Sequence, residues 1–104
     1  MRAYIAGVLG LAIALPVLAQ QAGERDLVLL REAMDGRLKD AASARLKDVV
    51  IGKDGTTCGL VNAKNSYGAY AGYEPFIATK LSTGKFFIVD IGEASEQVCR
   101  DRGL

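Results

Sequence analysis

Apolar residues recur along this chain with two different periods, and the period changes near residue 50. Between residues 25 and 41 they recur every three or four positions, which predicts an amphipathic helix with a charged, solvated outer face. Residues 38–49 either continue this helix or break near Asp40 and restart for one more turn, because Asp40 and Ser43 both cap helices well. The sequence leaves both alternatives open. The apolar positions of the helix are Leu27, Leu30, Met34, Leu38 and Ala41.

From residue 49 onward the apolar runs are short and separated by turn residues, which predicts strands. Asp54-Gly55 between two such runs is a strong hairpin signal, and short connections make neighbouring strands antiparallel. The segment Phe86–Ile91 is the most hydrophobic, so we expect it at the centre of the sheet. The predicted strands are residues 49–51, 56–63, 75–81 and 86–91, and a short helix follows at 93–100.

The first residues of the chain have the composition of a secretory signal peptide. Met1-Arg2 precedes an apolar run that ends in small residues at Ala19, and this pattern is typical of an exported precursor. A membrane anchor is the alternative, but a bilayer span needs roughly 20 apolar residues, and Pro16 interrupts the run near its end. We therefore predict cleavage after Ala19, with Ala22 as the other candidate, and no membrane span in the mature protein.

The mature chain, residues 20–104, is then one α+β domain in the periplasm or outside the cell. We predict a long N-terminal helix packed on a four-stranded antiparallel sheet, a short C-terminal helix and a disordered leader at residues 20–24. The precursor has 13 basic and 12 acidic side chains, and the two numbers become equal once Arg2 is removed. No basic stripe of the kind that binds nucleic acid is present, so we expect no nucleic-acid partner.

The chain has two cysteines, Cys58 and Cys99, and no histidine. Export brings the two thiols into an oxidising compartment, where only one intramolecular pairing is possible. We predict a disulfide that closes a loop of about 40 residues and stabilises the fold by roughly 4 kcal/mol. Without histidine or a Cys-x-x-Cys spacing the chain offers too few ligands for zinc, and we predict neither a metal nor another cofactor.

The residue types also argue against catalysis. The absence of histidine removes the commonest general base, and a disulfide would remove the thiol nucleophile. Hydrolysis by two carboxylates needs a pair with separated pKa values in a cleft, and Glu74 with Asp90 is the one pair worth testing. We therefore expect that this protein is not an enzyme.

The candidate binding residues lie at the end of the second predicted strand and in the segment that leads to the third. Asparagines can bond nearby backbone and glycines admit positive φ, so the segment forms either a structural loop or a recognition surface for a protein or glycan. Tyrosine offers a large, stiff, amphipathic contact area. In an extended chain Tyr67 and Tyr73 share one face and Tyr70 takes the other. The candidates are Asn62, Lys64, Asn65, Tyr67, Tyr70 and Tyr73.

Two motifs in this chain occur together. The first is Leu38-Lys39-Asp40 followed by Ser43-Ala44, and the second is Cys58-Gly59 with Val61-Asn62-Ala63-Lys64-Asn65, Gly68, Tyr70, Gly72 and Phe76. In these motifs the chain resembles a group of small exported proteins of Gram-negative bacteria whose function is uncharacterised, although Ala41 stands where such relatives usually have proline. The resemblance implies bacterial export and a shared fold, and it implies no activity, ligand or catalytic residue.

We therefore expect a small exported domain that binds an envelope protein or a cell-wall glycan through the loop of tyrosines, glycines and asparagines. A structural or accessory envelope module without a ligand is the first alternative. A hydrolase that uses carboxylates is the second.

Overall fold

The computed structural model describes residues 19–104, which form one α+β domain. All five strands pair antiparallel in chain order, β1-β2-β3-β4-β5, so β3 is the central strand. The predicted signal peptide lies outside the described residues except for Ala19. The strands are β1 (Ala19–Gln21), β2 (Arg45–Gly52), β3 (Thr56–Lys64), β4 (Tyr70–Lys80) and β5 (Phe86–Ile91), and the helices are α1 (Glu24–Ala33) and α2 (Glu93–Asp101).

The sheet differs from the prediction in its number of strands and in their order. The predicted four strands are five, because Ala19–Gln21 pairs with the end of β2. Gln20 and Gln21 lie in this strand and Glu24 begins α1, so the prediction of a disordered leader does not hold for them. The most hydrophobic strand, β5, lies at the edge and not at the centre, because a meander in chain order leaves its last strand with one neighbour.

The N-terminal helix is shorter than predicted. α1 ends at Ala33, and single turns of 3₁₀ helix follow at Met34–Gly36 and Ala41–Ser43. The chain therefore breaks before Asp40 and restarts for one turn, as the second alternative predicts, and then enters β2 at Arg45, four residues before the predicted strand. The predicted apolar stripe still faces inward, because Leu30 and Met34 are fully buried.

The main core lies between α1 and one face of the sheet. We call this the α1 face, and its largest buried side chain is Phe76 of β4. Burying apolar side chains between one helix and one sheet face is the main stabilising contribution in this architecture. The core residues are Leu30, Met34, Ala41, Ala44, Val49, Val61, Phe76, Ala78, Phe86 and Ile88.

The opposite face of the sheet carries α2. The predicted disulfide is confirmed: Cys58 of β3 is joined to Cys99 of α2, with their Cα atoms 6.2 Å apart. Ser95 is fully buried, and its hydroxyl donates to the carbonyl oxygen and the carboxylate of Asp90, at 3.1 and 3.0 Å. α2 thus packs over Cys58 and Ile77, which leaves the end of this face near the β3–β4 turn uncovered.

Candidate binding surface

The β3–β4 hairpin is closed by a turn that Asn65 organises. Its side-chain oxygen accepts hydrogen bonds from the backbone nitrogens of Tyr67, at 2.9 Å, and Ala69, at 3.1 Å. Gly68 in this turn has φ +81°, a conformation that glycine adopts without strain. The turn holds the Tyr67 side chain out into solvent, where it is 94% exposed.

A β-bulge in the hairpin changes which tyrosines share a face. Asn62 pairs with Tyr73, and Lys64 pairs with Tyr70, so two residues of β4 oppose one residue of β3 between these pairs. The Gly72 backbone nitrogen, at φ +108°, donates to the Asn62 side-chain oxygen at 2.9 Å. Because an extra residue reverses the alternation of side chains, Tyr70 and Tyr73 lie on the same face, whereas simple alternation predicts opposite faces.

Strand β2 brings two cations to that face. Arg45 pairs with Asn62 and Lys47 pairs with Leu60, and paired residues of an antiparallel sheet point to the same side. The side chains of Arg45 and Lys47 are exposed, whereas Leu46 between them is half-buried. Lys64 joins them from β3.

The cations stack on the tyrosine rings. The guanidinium carbon of Arg45 lies 3.8 Å from the ring centroid of Tyr70. The Lys47 Nζ atom lies 4.7 Å from the ring centroid of Tyr73, and the Lys64 Nζ atom lies 5.6 Å from that of Tyr70. These distances are those of cation–π contacts. We call these five residues, Arg45, Lys47, Lys64, Tyr70 and Tyr73, the basic–aromatic surface.

The three cations of this surface keep their charge available. Within residues 19–104 the ion pairs join Lys80 with Asp26, Arg100 with Glu96, and Arg102 with Asp54, and none includes Arg45, Lys47 or Lys64. An aromatic ring holds a cation without neutralising it, so the surface is both apolar and positive.

The six sequence-predicted binding residues divide into two groups. The side chains of Asn62, Asn65 and Tyr70 bond to the chain itself: the Tyr70 hydroxyl donates to the Ser43 carbonyl oxygen at 2.9 Å. The other three side chains remain open to a partner. They are Lys64, which is half-buried, Tyr67, and Tyr73, which is 43% exposed.

Sequence reasoning missed Arg45 and Lys47. Residues 38–49 were predicted as a helix or a turn, and the balanced total charge conceals a local group of cations. The alternation Arg45-Leu46-Lys47 was the available signal for a strand. This alternating stretch is short because Asp48 has φ +53° and a bulge displaces the register of β2 against β3 between Lys47 and Val50.

The carboxylate pair singled out for hydrolysis is not brought together. Glu74 pairs with Val61, whose side chain lies in the core on the α1 face, whereas Asp90 pairs with Ile77, which lies beneath α2. The two carboxylates therefore point to opposite faces of the sheet, and Asp90 is engaged by Ser95.

A cavity of about 580 Å³ lies elsewhere, between the β2–β3 turn and the C-terminus. Asp54 lines it and accepts a hydrogen bond from the backbone nitrogen of Thr56 at 2.9 Å. This bond, a further one from the Thr56 hydroxyl and the charge of Arg102 hold the pKa of the Asp54 carboxyl below its ordinary value of 3.8. Asp54 and Arg102 form an ion pair at 3.6 Å, which links this turn to the end of α2.

Neither metal-binding groups or membrane-spanning helices in residues 19–104 nor similarity to known proteins indicates a function for this chain. In residues 19–104 no group of three or more histidine, cysteine or acidic residues is placed to hold a metal ion. No helix in that part of the chain is long and apolar enough to cross a membrane. No protein-family model matches the chain, and comparisons with curated proteins and with solved structures give no significant match. Its function must therefore be inferred from its own residues.

Proposed function

We propose that this protein is an exported, non-catalytic binding domain that holds a protein or cell-envelope ligand on its basic–aromatic surface. The observation that carries the proposal is the set of three cations that stack on tyrosine rings and that, among residues 19–104, form no ion pair with an acidic side chain. The apolar N-terminal run and the Cys58–Cys99 disulfide support a location in the periplasm or outside the cell. The resemblance to small exported bacterial proteins points the same way.

The stacking prepares the surface for binding. Long cationic side chains lose rotamer freedom when a ligand immobilises them, at about 0.5–1.5 kcal/mol for each side chain. Arg45 and Lys47 already rest on Tyr70 and Tyr73, in contacts that contribute about 0.5–1 kcal/mol at exposed sites. Part of the ordering cost is therefore met before a ligand arrives, and tyrosine and arginine are enriched among residues that dominate binding energies.

A structural module without a ligand is the second candidate. The internal hydrogen bonds of Asn62, Asn65 and Tyr70 favour it, because these residues shape the hairpin whether or not anything binds. The exposure of Tyr67 and Tyr73 favours binding, since tyrosines that only fill a core would be covered.

Photo-crosslinking in cells separates the two candidates. A photoreactive phenylalanine analogue placed at Tyr73 or Tyr67 keeps an aromatic ring at the surface, and the same analogue at Val28 is the matched control. Val28 is 53% exposed on α1, on the other side of the sheet. Binding predicts adducts at positions 67 and 73 but not at 28. The absence of adducts at all three positions, or equal adducts at all three, would contradict it.

A second measurement tests export. Cell fractionation followed by N-terminal sequencing should find a chain that begins at Gln20, or at Gly23 if cleavage follows Ala22. A full-length chain in the cytoplasm would overturn this part of the proposal.

A further inference from the structure

The cations of the basic–aromatic surface lie in a row. On the shared face, Lys64, Asn62 and Leu60 follow one another along β3, and Arg45 and Lys47 lie beside the last two. Alternate residues of a strand are about 6.7 Å apart. Viewed along the strands, the backbone positions therefore follow the order Lys64, Arg45, Lys47, about 6.7 Å apart. The charged ends of Arg45 and Lys64 both lie at the Tyr70 ring, 3.8 and 5.6 Å from its centroid.

A row on an open surface fits a polymer better than a small anion. A single small anion would need several donors that converge in a pocket, whereas here the three cations lie on an open sheet face, two at the Tyr70 ring and one at the Tyr73 ring. The groove beside them, of about 220 Å³, is lined by Leu60 and Pro75 and by groups of α2. A chain that carries one negative group per unit could contact the three cations in succession.

The borders of the surface give the ligand a direction. Towards α2 the groove is lined by Asp48 and Glu96, and Glu96 is paired with Arg100 at 3.2 Å. Arg100 lines the same groove and partly neutralises these carboxylates, so the α2 end is less positive than the hairpin end and attracts an anionic chain less. The positive groups lie at the end nearest the hairpin turn, where Tyr67 extends the aromatic area into solvent.

The recognition groups favour a polysaccharide over an acidic peptide. An extended peptide gains most of its affinity by adding a strand at a sheet edge, in the plane of the sheet. Arg45, Lys47, Tyr70 and Tyr73 instead point away from that plane, because side chains in a strand stand off the sheet faces. A tyrosine ring offers an apolar face and a polar hydroxyl, which match the apolar C–H face and the hydroxyl edge of a sugar ring.

We infer that the basic–aromatic surface binds an acidic polysaccharide, a chain of sugars that carry carboxylates, which lies over β2, β3 and β4 and runs along the direction of the strands. The carboxylates accept charge-assisted hydrogen bonds from Arg45, Lys47 and Lys64, and the sugar rings pack on Tyr73 and Tyr67. This inference rests on the proposed function, and it adds the chemical class of the ligand and the residues that select it.

The test uses the mature protein and oligomers of galacturonic acid as the probe, with the methyl-esterified, uncharged oligomer as its counterpart. Calorimetry at low salt should show binding of the charged oligomer, and the uncharged one should bind at least about tenfold more weakly because the charge-assisted hydrogen bonds are lost. Affinity should fall as salt is raised, since exposed charges are screened. Equal affinity for both oligomers would overturn the inference.

Variants locate the site. Arg45→Gln with Lys47→Gln should weaken binding of the charged oligomer about tenfold or more. Arg25→Gln with Lys85→Gln removes the same charge from exposed positions on α1 and in the β4–β5 turn, which lies at the opposite end of the sheet from the β3–β4 turn. It should leave affinity within about twofold, because distant exposed charges are screened. Lys47→Gln alone, whose side chain rests only on Tyr73, provides a milder variant if the double variant folds poorly. Equal losses in the two double variants would overturn the inference.

Two further probes separate this inference from the proposed function. Poly-L-glutamate represents an acidic peptide, and vesicles of phosphatidylglycerol represent an anionic membrane. Binding of either one without binding of the galacturonate oligomer would overturn the polysaccharide inference and leave the binding surface standing. If none of the three probes binds while position 73 still crosslinks in cells, the polysaccharide inference alone fails. If crosslinking fails as well, both fail.

Discussion

At the scale of single residues, Gly59 shows how closely the central strand is packed. It lies in β3, where the side chains of Val49 and Phe76 close over its backbone. A Cβ atom at this position would lie 2.8 Å from Val49 Cγ2 and 3.0 Å from Phe76 Cε2. Phe76 is fully buried, so its ring has little room to move away. Val49 and Phe76 therefore leave space at residue 59 for a glycine but not for a larger side chain.

Replacing Gly59 with alanine should therefore overpack the core. We expect Gly59→Ala to lower the free energy of unfolding by about 1–3 kcal/mol. Gly36→Ala is the control, since no atom lies within 4 Å of its added Cβ, and it should be neutral or stabilise by up to about 1 kcal/mol. Urea unfolding followed by circular dichroism measures both, and equal effects would contradict the packing argument.

The Asp54 carboxyl gives the fold a pH dependence. The hydrogen bonds from Thr56 and the charge of Arg102 lower its pKa in the folded state, so the folded protein favours the ionised form. A carboxyl with a lowered folded pKa stabilises the fold above its unfolded pKa, and this stabilisation is lost as the pH falls through the folded value.

Wild type should therefore melt at a higher temperature than Asp54→Asn at about pH 6, where the carboxylate is ionised. The difference should shrink below about pH 4 and vanish when Asp54 is protonated in both states. Melting curves over this range measure it. A difference that is constant with pH, or that grows as the pH falls, would contradict this assignment.

At the scale of the elements, the β3–β4 hairpin was predicted only in part. Its asparagines and glycines indicate a turn, and the structure places one between Lys64 and Tyr70. The bulge could not be predicted, because it depends on the tertiary hydrogen bond between Asn62 and Gly72 and not on a repeating pattern. Without it, alternation assigns Tyr70 to the wrong face.

Among the other elements, some were predicted from the sequence and some were not. The bounds of β5 and the start of α2 follow the prediction because apolar runs and a glycine mark them. β1 has no apolar signal, since Gln20 and Gln21 are exposed and are held by backbone pairing to β2. The helix stripe predicts burial of Leu30 and Met34 but not where α1 ends, because local periodicity does not specify the turns that lead into β2.

Asn62 is the residue that holds the bulge, and its removal tests that role. Asn62→Ala leaves the exposed Gly72 N–H without its protein acceptor, which should lower the free energy of unfolding by about 0.5–1.5 kcal/mol and speed hydrogen exchange at the Gly72 amide. Asn62→Asp keeps an acceptor oxygen and should retain the protection at Gly72. Equal exchange rates at Gly72 in wild type and Asn62→Ala would show that the side chain does not hold the bulge.

At the scale of the whole molecule, the disulfide fixes which half of the sheet face is covered. It joins the central strand β3 to α2, so the helix stays over Cys58 and Ile77 while the basic–aromatic surface remains open. The sequence predicted the covalent bond from compartment and cysteine number. It could not predict the surface, which is assembled from three strands.

Replacing both cysteines with serine should lower the free energy of unfolding by roughly 4 kcal/mol, because the open chain gains conformational freedom when it unfolds. Hydrogen exchange should quicken more in α2 than in α1, since α2 loses its anchor to the sheet. Reduction of the wild-type bond is the matched chemical control. A loss well below about 1 kcal/mol in both experiments would contradict a clamping role.

The proposed function depends most on the claim that ligands bind to the uncovered end of the α2-bearing face. An NMR titration of the ¹⁵N-labelled mature protein with galacturonate oligomers tests it directly. We predict that the shifted backbone amides cluster in residues 45–47, 60–64 and 67–75, while those of α1 stay in place. Shifts that centre on α1 or on the cavity beside Asp54 would contradict the claim. An unchanged spectrum together with no crosslinking at position 73 would contradict it as well.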